Sequence, residues 1–247
     1  RIVSTHLRIL FMELVTNKNC YSWNNFYKKE QDNFNENEED TGECWFDDSD
    51  AESKMIQFII DKLNEEELPE EISSQSVVRF LDLGTGNGHL LFQLLEDINE
   101  EYEGDKTFEY TGIDYSPDSV KFASGVAKRK YSELKVNFEQ VDLLQESCSF
   151  LQNKFDILLD KGTLHAIALN QESLADFYGK IRMDVYASQV EKMMVLRSIL
   201  LITSCNFTKD DLIKIITKVF KFGKSGGRDK LIQVSQFGWV SKRSYTW

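Results

Sequence analysis

The stretch Val77–Leu90, VVRFLDLGTGNGHL, constrains this chain more than any other. Val77, Val78, Phe80, Leu81 and Leu83 make a short apolar strand. Gly84, Gly86 and Gly88 follow at every second position, and Leu90, Leu91, Phe92, Leu94 and Leu95 then form an apolar helix. A buried strand feeding a glycine turn and a helix is the first half of a βαβ unit. The turn needs backbone angles that only glycine adopts cheaply, and without Cβ atoms a ligand can approach the main chain. N–H groups in the first helical turn lack intrahelical partners and can face that ligand. The stretch therefore predicts a site for a ligand with polar, partly anionic groups.

The rest of the chain repeats the alternation. Short apolar strands are expected at Phe108–Ile113, Val136–Val141, Phe155–Leu159 and Ile199–Thr203, with a last alternating strand near Leu231–Val240. Between them come helices at about His89–Ile98, after Ser116 (N-cap) and Pro117, at Asp184–Val195, and at Lys209–Phe220 behind a Thr208/Asp211 capping box. Strand and helix in alternation mean a parallel sheet with helices on both faces. Such sheets bind ligands past the carboxyl ends of the strands, where strand order reverses. Polar residues at those ends are candidates: Gly84–Gly88, Asp114, Asp142, Asp160 and Ser204–Phe207.

Upstream, YSWNNFY at 21–27 reads as an aromatic helix docked on the core. Residues 30–50 read as an acidic loop with a turn at Asp40-Thr41-Gly42-Glu43, and 65–71 as an acidic linker around Pro69. Between them a helix runs to about Leu63, with Asp48, Ser49 or Asp50 as its N-cap. Cys44-Trp45-Phe46 stands out in the acidic loop. Two readings stand: the ring pair tucks into the core, or it meets a ligand. Leu7–Val15 reads as an amphipathic helix or strand rather than a signal peptide, because Arg8 and Glu13 interrupt it.

The chemistry of the strand ends narrows the ligand. A dinucleotide fingerprint, G-x-G-x-x-G, would place its third glycine at 89, but that residue is His89 and the glycine is at 88. The spacing fits a nucleoside-type ligand without a pyrophosphate. Asp114, at the end of the second strand, can accept both hydroxyls of a ribose. Asp142, followed by apolar Leu143, can accept from an exocyclic amine. Each carboxylate alone reads equally as a helix cap or a solvated loop residue; three at consecutive strand ends point to a site.

Charge excludes other classes. With 41 acidic and 29 basic side chains the net charge is −12, which argues against a grip on nucleic acid or on an anionic membrane. It suits a basic protein partner, or merely solubility. The four cysteines (Cys20, Cys44, Cys148, Cys205) and three histidines (His6, His89, His165) are scattered, so free thiols and no metal centre are expected. No run of about 20 apolar residues could span a bilayer. These features predict a cytoplasmic monomer.

FLDLGTGNGHLL, GIDYSPDSV, QVDLL and LLDKGTL, in this order, resemble the class I S-adenosylmethionine-dependent methyltransferases, over roughly residues 21–215. More narrowly, DTGECWF at 40–46, LDLGTGNG at 81–88, DKGTL at 160–164 and LITSCNF at 201–207 resemble the lysine methyltransferases that modify translation elongation factor 1-alpha. The resemblance implies a doubly wound, mostly parallel, seven-stranded α/β sheet of Rossmann-like type. It implies an N-terminal segment with an aromatic lid over residues 1–50 and a methyltransferase domain over 51–247. Asp82, Gly84, Gly86, Asn87 and Gly88 would hold the methionine moiety of S-adenosylmethionine. Asp114 would bind the ribose, Tyr115 would flank the adenine, and Asp142 with Leu143 would read its edge. Asp160, with Lys161, would lie beside the acceptor, Asp160 orienting the amine. Trp45, Phe46, Asn206 and Phe207 would line a lysine channel.

Two positions depart from that pattern. His165 stands where the family carries an acidic residue, and Val195–Ser198 lacks the glycine expected before the fifth strand. A small-molecule methyltransferase and a non-catalytic protein-binding domain remain the alternatives, since a fold does not fix a function. An NAD dehydrogenase is disfavoured by His89.

Overall fold

The computed structural model describes residues 21–45, 50–204 and 206–219. The element expected at Leu7–Val15, the candidate Phe46, and the strand expected near Leu231–Val240 lie outside the described residues. In chain order the described elements are α1 (Tyr21–Glu36), α2 (Ala51–Asn64), α3 (Glu70–Ser73), β1 (Val77–Leu83), α4 (His89–Glu101), β2 (Thr107–Asp114), α5 (Pro117–Lys130) and β3 (Val136–Gln140). After them come β4 (Phe155–Lys161), α6 (Thr163–Ala168), β5 (Ser173–Leu174), β6 (Lys180–Ile181), α7 (Arg182–Met193), β7 (Met194–Thr203) and α8 (Lys209–Val219).

Among the described residues the central sheet has five strands in the order β3-β2-β1-β4-β7, and every pairing in it is parallel. The order reverses between β1 and β4, which marks the switch point where such sheets bind ligands. A two-stranded antiparallel ribbon, β5–β6, stands apart and was not foreseen. Its two-residue strands are too short for a period-2 pattern to show.

Pleating sorts the strand side chains between two cores. Val78, Phe80, Ile157 and Leu159 face one cluster with Tyr27 and Phe34 of α1, Met55 to Leu63 of α2, and the apolar faces of α4 and α5. Leu81, Leu83, Leu158, Leu200 and Ile202 face another, with Leu164 of α6, Val185, Tyr186 and Val190 of α7, and Leu212 and Ile216 of α8. Because successive side chains point to opposite faces, helices on both sides bury Phe80–Leu83 of β1 and Phe155–Asp160 of β4. Each large side chain so buried contributes roughly 1.5–3 kcal/mol.

Several local expectations change. The acidic segment after residue 30 is helical to Glu36, because Phe34 is drawn into the core against Phe122. The linker at 65–71 carries the start of α3, which buries Ile72. Asp50 precedes α2 in a left-handed conformation and makes no side-chain cap. The Ser116 cap and the Thr208/Asp211 box form as read. β7 begins five residues early, at Met194, and bulges against β4. Within the bulge Arg197 takes φ 67 where a glycine was expected. Ser198 Oγ secures it, donating to Phe155 O and accepting from Val195 N–H.

Candidate active site

The carboxyl ends of β1 and β4 frame one cavity. Asp82, Gly84, Thr85, Gly86, Asn87 and Leu90 line it from the β1–α4 turn, Lys161 from β4, and Tyr27 and Trp45 from the N-terminal segment. Sequence distance hid this convergence: Trp45 and Lys161 are over a hundred residues apart, yet Lys161 Nζ lies 3.2 Å from Trp45 O and donates to it.

The turn is shaped for close approach. Gly84 and Gly86 take φ 72 and 58, a region costly for residues with a Cβ. A Cβ on Gly86 would sit 2.6 Å from the Tyr27 hydroxyl. Asp114 ties the turn to β2: its Oδ2 accepts from Gly86 N–H at 3.0 Å and its Oδ1 from Ser116 N–H at 2.9 Å. Burial raises the pKa of this carboxyl, against those same bonds. The Ser119 side chain and Tyr115 N–H also hydrogen-bond this carboxyl. Val141 N–H donates to Asp114 O, which brings the Asp142–Leu143 turn alongside; Asp142 Oδ1 accepts from Leu144 N–H and Leu143 is buried. Tyr115 is partly exposed on the same rim, its carbonyl accepting from Gln140. Asp82, buried beneath the turn, has its pKa pushed up to about 7 by burial, against Thr85 and Lys161.

The N-terminal segment is fastened to the turn. Asn87 Nδ2 donates to Thr41 O and Glu43 O, so its amide anchors the loop that carries Trp45. Ser116 Oγ donates to Asn24 Oδ1 at 2.6 Å, pinning α1 beside β2. Trp45 packs between Trp23 and Phe26, at 5.6 and 5.3 Å between ring centroids. The Trp45 ring joins an aromatic cluster and walls the cavity.

Beneath Trp45 lies a charge cluster that sequence reasoning missed. Glu52 of α2 takes Lys161 Nζ at 2.5 Å on one oxygen and His89 Nδ1 at 2.6 Å on the other; the Glu52 and Lys161 side chains are both 11% exposed. Cys44 Sγ lies 3.7 Å from Glu52 and 3.6 Å from Lys161. Burial alone would raise the Glu52 pKa, but His89 and Lys161 hold it at about 2. Hydrogen bonds to Cys44 and Glu52 lift His89 to about 10. Burial opposes the Lys161 charge, yet Glu52 and Cys44 keep its pKa above the usual value. The cluster is therefore ionic at neutral pH. Glu52 sits among the apolar residues of an amphipathic helix, where an acidic position reads as a solvated one; nothing local marks it.

Asp160 has a place other than the one expected from the strand-end pattern. It is fully buried, its Oδ1 accepting from Thr163 N–H at 2.7 Å and its Oδ2 from Leu164 N–H at 3.0 Å and the Tyr186 hydroxyl at 2.5 Å. Burial pushes its pKa up to about 6, against those bonds. Its carboxylate caps α6, and it does not line the cavity. Asn206 and Phe207 also lie off the cavity lining: Phe207 packs against the second core, and Asn206 Nδ2 meets His165 Nε2 at 2.9 Å.

Residues 74–243 match the family model described as "Methyltransferase domain". The protein-lysine N-methyltransferase EFM4 of Saccharomyces cerevisiae is 44% identical over 78% of this chain and 77% of its own. The chain belongs to this methyltransferase family. A Schizosaccharomyces pombe protein-lysine N-methyltransferase is 38% identical over 79% of this chain and 78% of its own. The EEF1A lysine methyltransferase 2 of Homo sapiens is 29% identical over 81% and 72%. Trp45 and the glycine turn line the same cavity. Among the described residues no helix is long and apolar enough to cross a membrane.

Proposed function

We propose that this chain is an S-adenosylmethionine-dependent protein-lysine N-methyltransferase acting on a lysine of translation elongation factor 1-alpha. One observation carries the reading: the glycine turn and an aromatic wall, from separate segments of the chain, open onto one cavity at the sheet's switch point. The names of its relatives support the substrate.

The residues fit the cofactor. Gly84, Gly86 and Gly88 keep the main chain free of side chains, and Asp114 at the end of β2 would face the ribose hydroxyls. Asp82 and Asn87 belong to the methionine end, Asn87 acting through the loop it holds. Tyr115, Asp142 and Leu143 belong to the adenine end. When bound, S-adenosylmethionine supplies an electrophilic methyl on a sulfonium. The protein must present a neutral amine to it, although lysine has a reference pKa of ~10.4. The Trp45 wall desolvates the ammonium, and the Lys161 cation disfavours a second positive charge beside it; both lower the acceptor's pKa. Asp160 serves as a positioning residue through the α6 N-terminus. Trp45 forms the acceptor side of the cavity; Phe46, Asn206 and Phe207 are assigned to it by the resemblance alone.

We assign residues 1–50 to an N-terminal segment with its aromatic lid and 51–247 to the catalytic domain. We read the protein as a cytoplasmic monomer that meets a basic protein partner through its acidic surface, not nucleic acid or membrane.

Labelled S-adenosylmethionine, offered together with purified elongation factor 1-alpha and a cytosolic metabolite fraction, tests this. Label in the protein band supports the reading. Label only in metabolites makes the chain a small-molecule methyltransferase instead.

A further inference from the structure

The cluster beneath Trp45 gathers the kinds of donor atom that hold a transition-type divalent cation. Cys44 lies in the loop before α2, Glu52 in the first turn of α2, and His89 opens α4. One atom from each, a sulfur, a carboxylate oxygen and a ring nitrogen, lies within 4.8 Å of the other two. Cys44 Sγ is 3.7 Å from Glu52 Oε2, and His89 Nδ1 is 2.6 Å from Glu52 Oε1. The Cys44 and His89 side chains also hydrogen-bond each other. The spacing of these residues in the sequence argues against a metal centre; only the fold brings them to one point.

We propose that Cys44, Glu52 and His89 form a binding site for a zinc-class divalent cation. The mixed sulfur, nitrogen and oxygen set suits zinc and is wrong for magnesium and calcium, which take oxygen. Zinc bond lengths of about 2.0–2.3 Å put tetrahedral ligand atoms roughly 3.3–3.6 Å apart, so the set closes on a cation by shifts of about 1 Å. The oxygen–nitrogen pair is short because it shares a proton: ionised Glu52 only accepts, so Nδ1 carries it. Binding exchanges protons for the cation. Cys44 gives its thiol proton and His89 its Nδ1 proton to solvent, and the electron pairs left on sulfur and nitrogen go to the metal.

The site is reachable from solvent. The His89 side chain is 35% exposed and Cys44 is partly exposed, so water can fill the fourth tetrahedral position. Lys161 has no acceptor and cannot ligate. Its ammonium holds Glu52 Oε2, which leaves Oε1, the oxygen facing His89, for the metal. Asp82 also attracts the Lys161 charge, so the ammonium keeps a counter-charge when a cation enters beside it. A bound ion would join the Trp45 loop, α2 and the residue after the glycine turn, fastening the aromatic wall to the turn.

Cobalt(II) titrated into chelator-treated wild-type protein, followed by ultraviolet and visible absorption, tests this. A thiolate-to-cobalt charge-transfer band should rise in the near ultraviolet together with the intense visible bands of a four-coordinate ion. Zinc, which binds such sets more tightly, should bleach both. Cys44→Ser should abolish the charge-transfer band. Cys44→Ser and His89→Gln should each weaken binding by at least about a hundredfold, since losing a group that merely orients a ligand already costs about 10–100-fold. Cys148→Ser, against the other core, should leave the spectrum unchanged. Zinc should raise the melting temperature of wild type and not that of Cys44→Ser. A wild type that shows no charge-transfer band, or a folded Cys44→Ser that keeps it, overturns the inference. Ser replaces a single atom, so a folding defect in His89→Gln does not remove the test. None of these readouts requires methyl transfer, so failure here leaves the proposed function standing.

Discussion

Replacing Glu52 by Gln tests whether the buried charge cluster fixes the Trp45 loop. The Glu52 carboxylate takes Lys161 and His89 on its two oxygens, and its pKa falls from 4.5 to about 2. At ~1.36 kcal/mol per pH unit that depression represents about 3 kcal/mol of stabilisation of the charged form. Gln keeps one carbonyl acceptor and the site is slightly exposed, so the expected loss is about 2–3 kcal/mol. Most of it comes from leaving the Lys161 ammonium buried without a counter-charge. Urea unfolding at pH 7 reads this directly as a lower midpoint at unchanged slope.

The double variant Glu52→Gln/Lys161→Met separates charge from shape. With Lys161 also removed its buried ammonium is no longer stranded, so the double variant should be more stable than Glu52→Gln alone. A single-variant loss below about 0.5 kcal/mol, or additive losses in the double, would refute the claim that the ion pair holds this loop.

The pH dependence of His89 has a definite sign. Its pKa is raised from 6.5 to about 10, so its contribution is complete below pH 6.5 and is lost as pH rises toward 10. With the side chain 35% exposed, screening leaves about 1–2 kcal/mol, and His89→Gln should flatten the slope of midpoint against pH across that window. Gly86→Ala forces a Cβ into a φ of 58 and against the Tyr27 hydroxyl. The strain is about 1–2 kcal/mol, and calorimetry should show S-adenosylmethionine binding at least about tenfold weaker; unchanged affinity would contradict the cradle assignment. Tyr186→Phe removes a donor from buried Asp160 and should cost about 1–3 kcal/mol in thermal unfolding, with methyl transfer reduced through α6. An unchanged melting temperature would mean that Asp160 does not depend on that hydroxyl.

The sequence carried the sheet because its signals are local. β1 was legible from its apolar run, α5 from Ser116 and Pro117, and α8 from the Thr208/Asp211 box. The strand-end positions of the glycine turn, Asp114 and Asp142 were legible for the same reason. The acceptor side was not. Asp160 occupies a strand end like the other carboxylates, yet Tyr186 and the α6 backbone take both its oxygens. Asn87 lies in the glycine motif, yet its amide is spent on residues 41 and 43. The pairing of Glu52 with Lys161 joins positions 109 apart in the chain, and no periodicity reports such a contact. Arg197 shows the converse: a left-handed turn is kept without glycine because Ser198 holds it.

The central claim is that a methyl group passes from this cofactor cradle to a lysine side chain. Peptide mapping of elongation factor 1-alpha, after incubation with the wild-type protein and isotopically labelled S-adenosylmethionine, tests it most directly. The account predicts the labelled methyl on the side-chain nitrogen of one lysine, absent when Gly86→Ala replaces wild type. Label on no lysine, with the cofactor demonstrably bound, would contradict it.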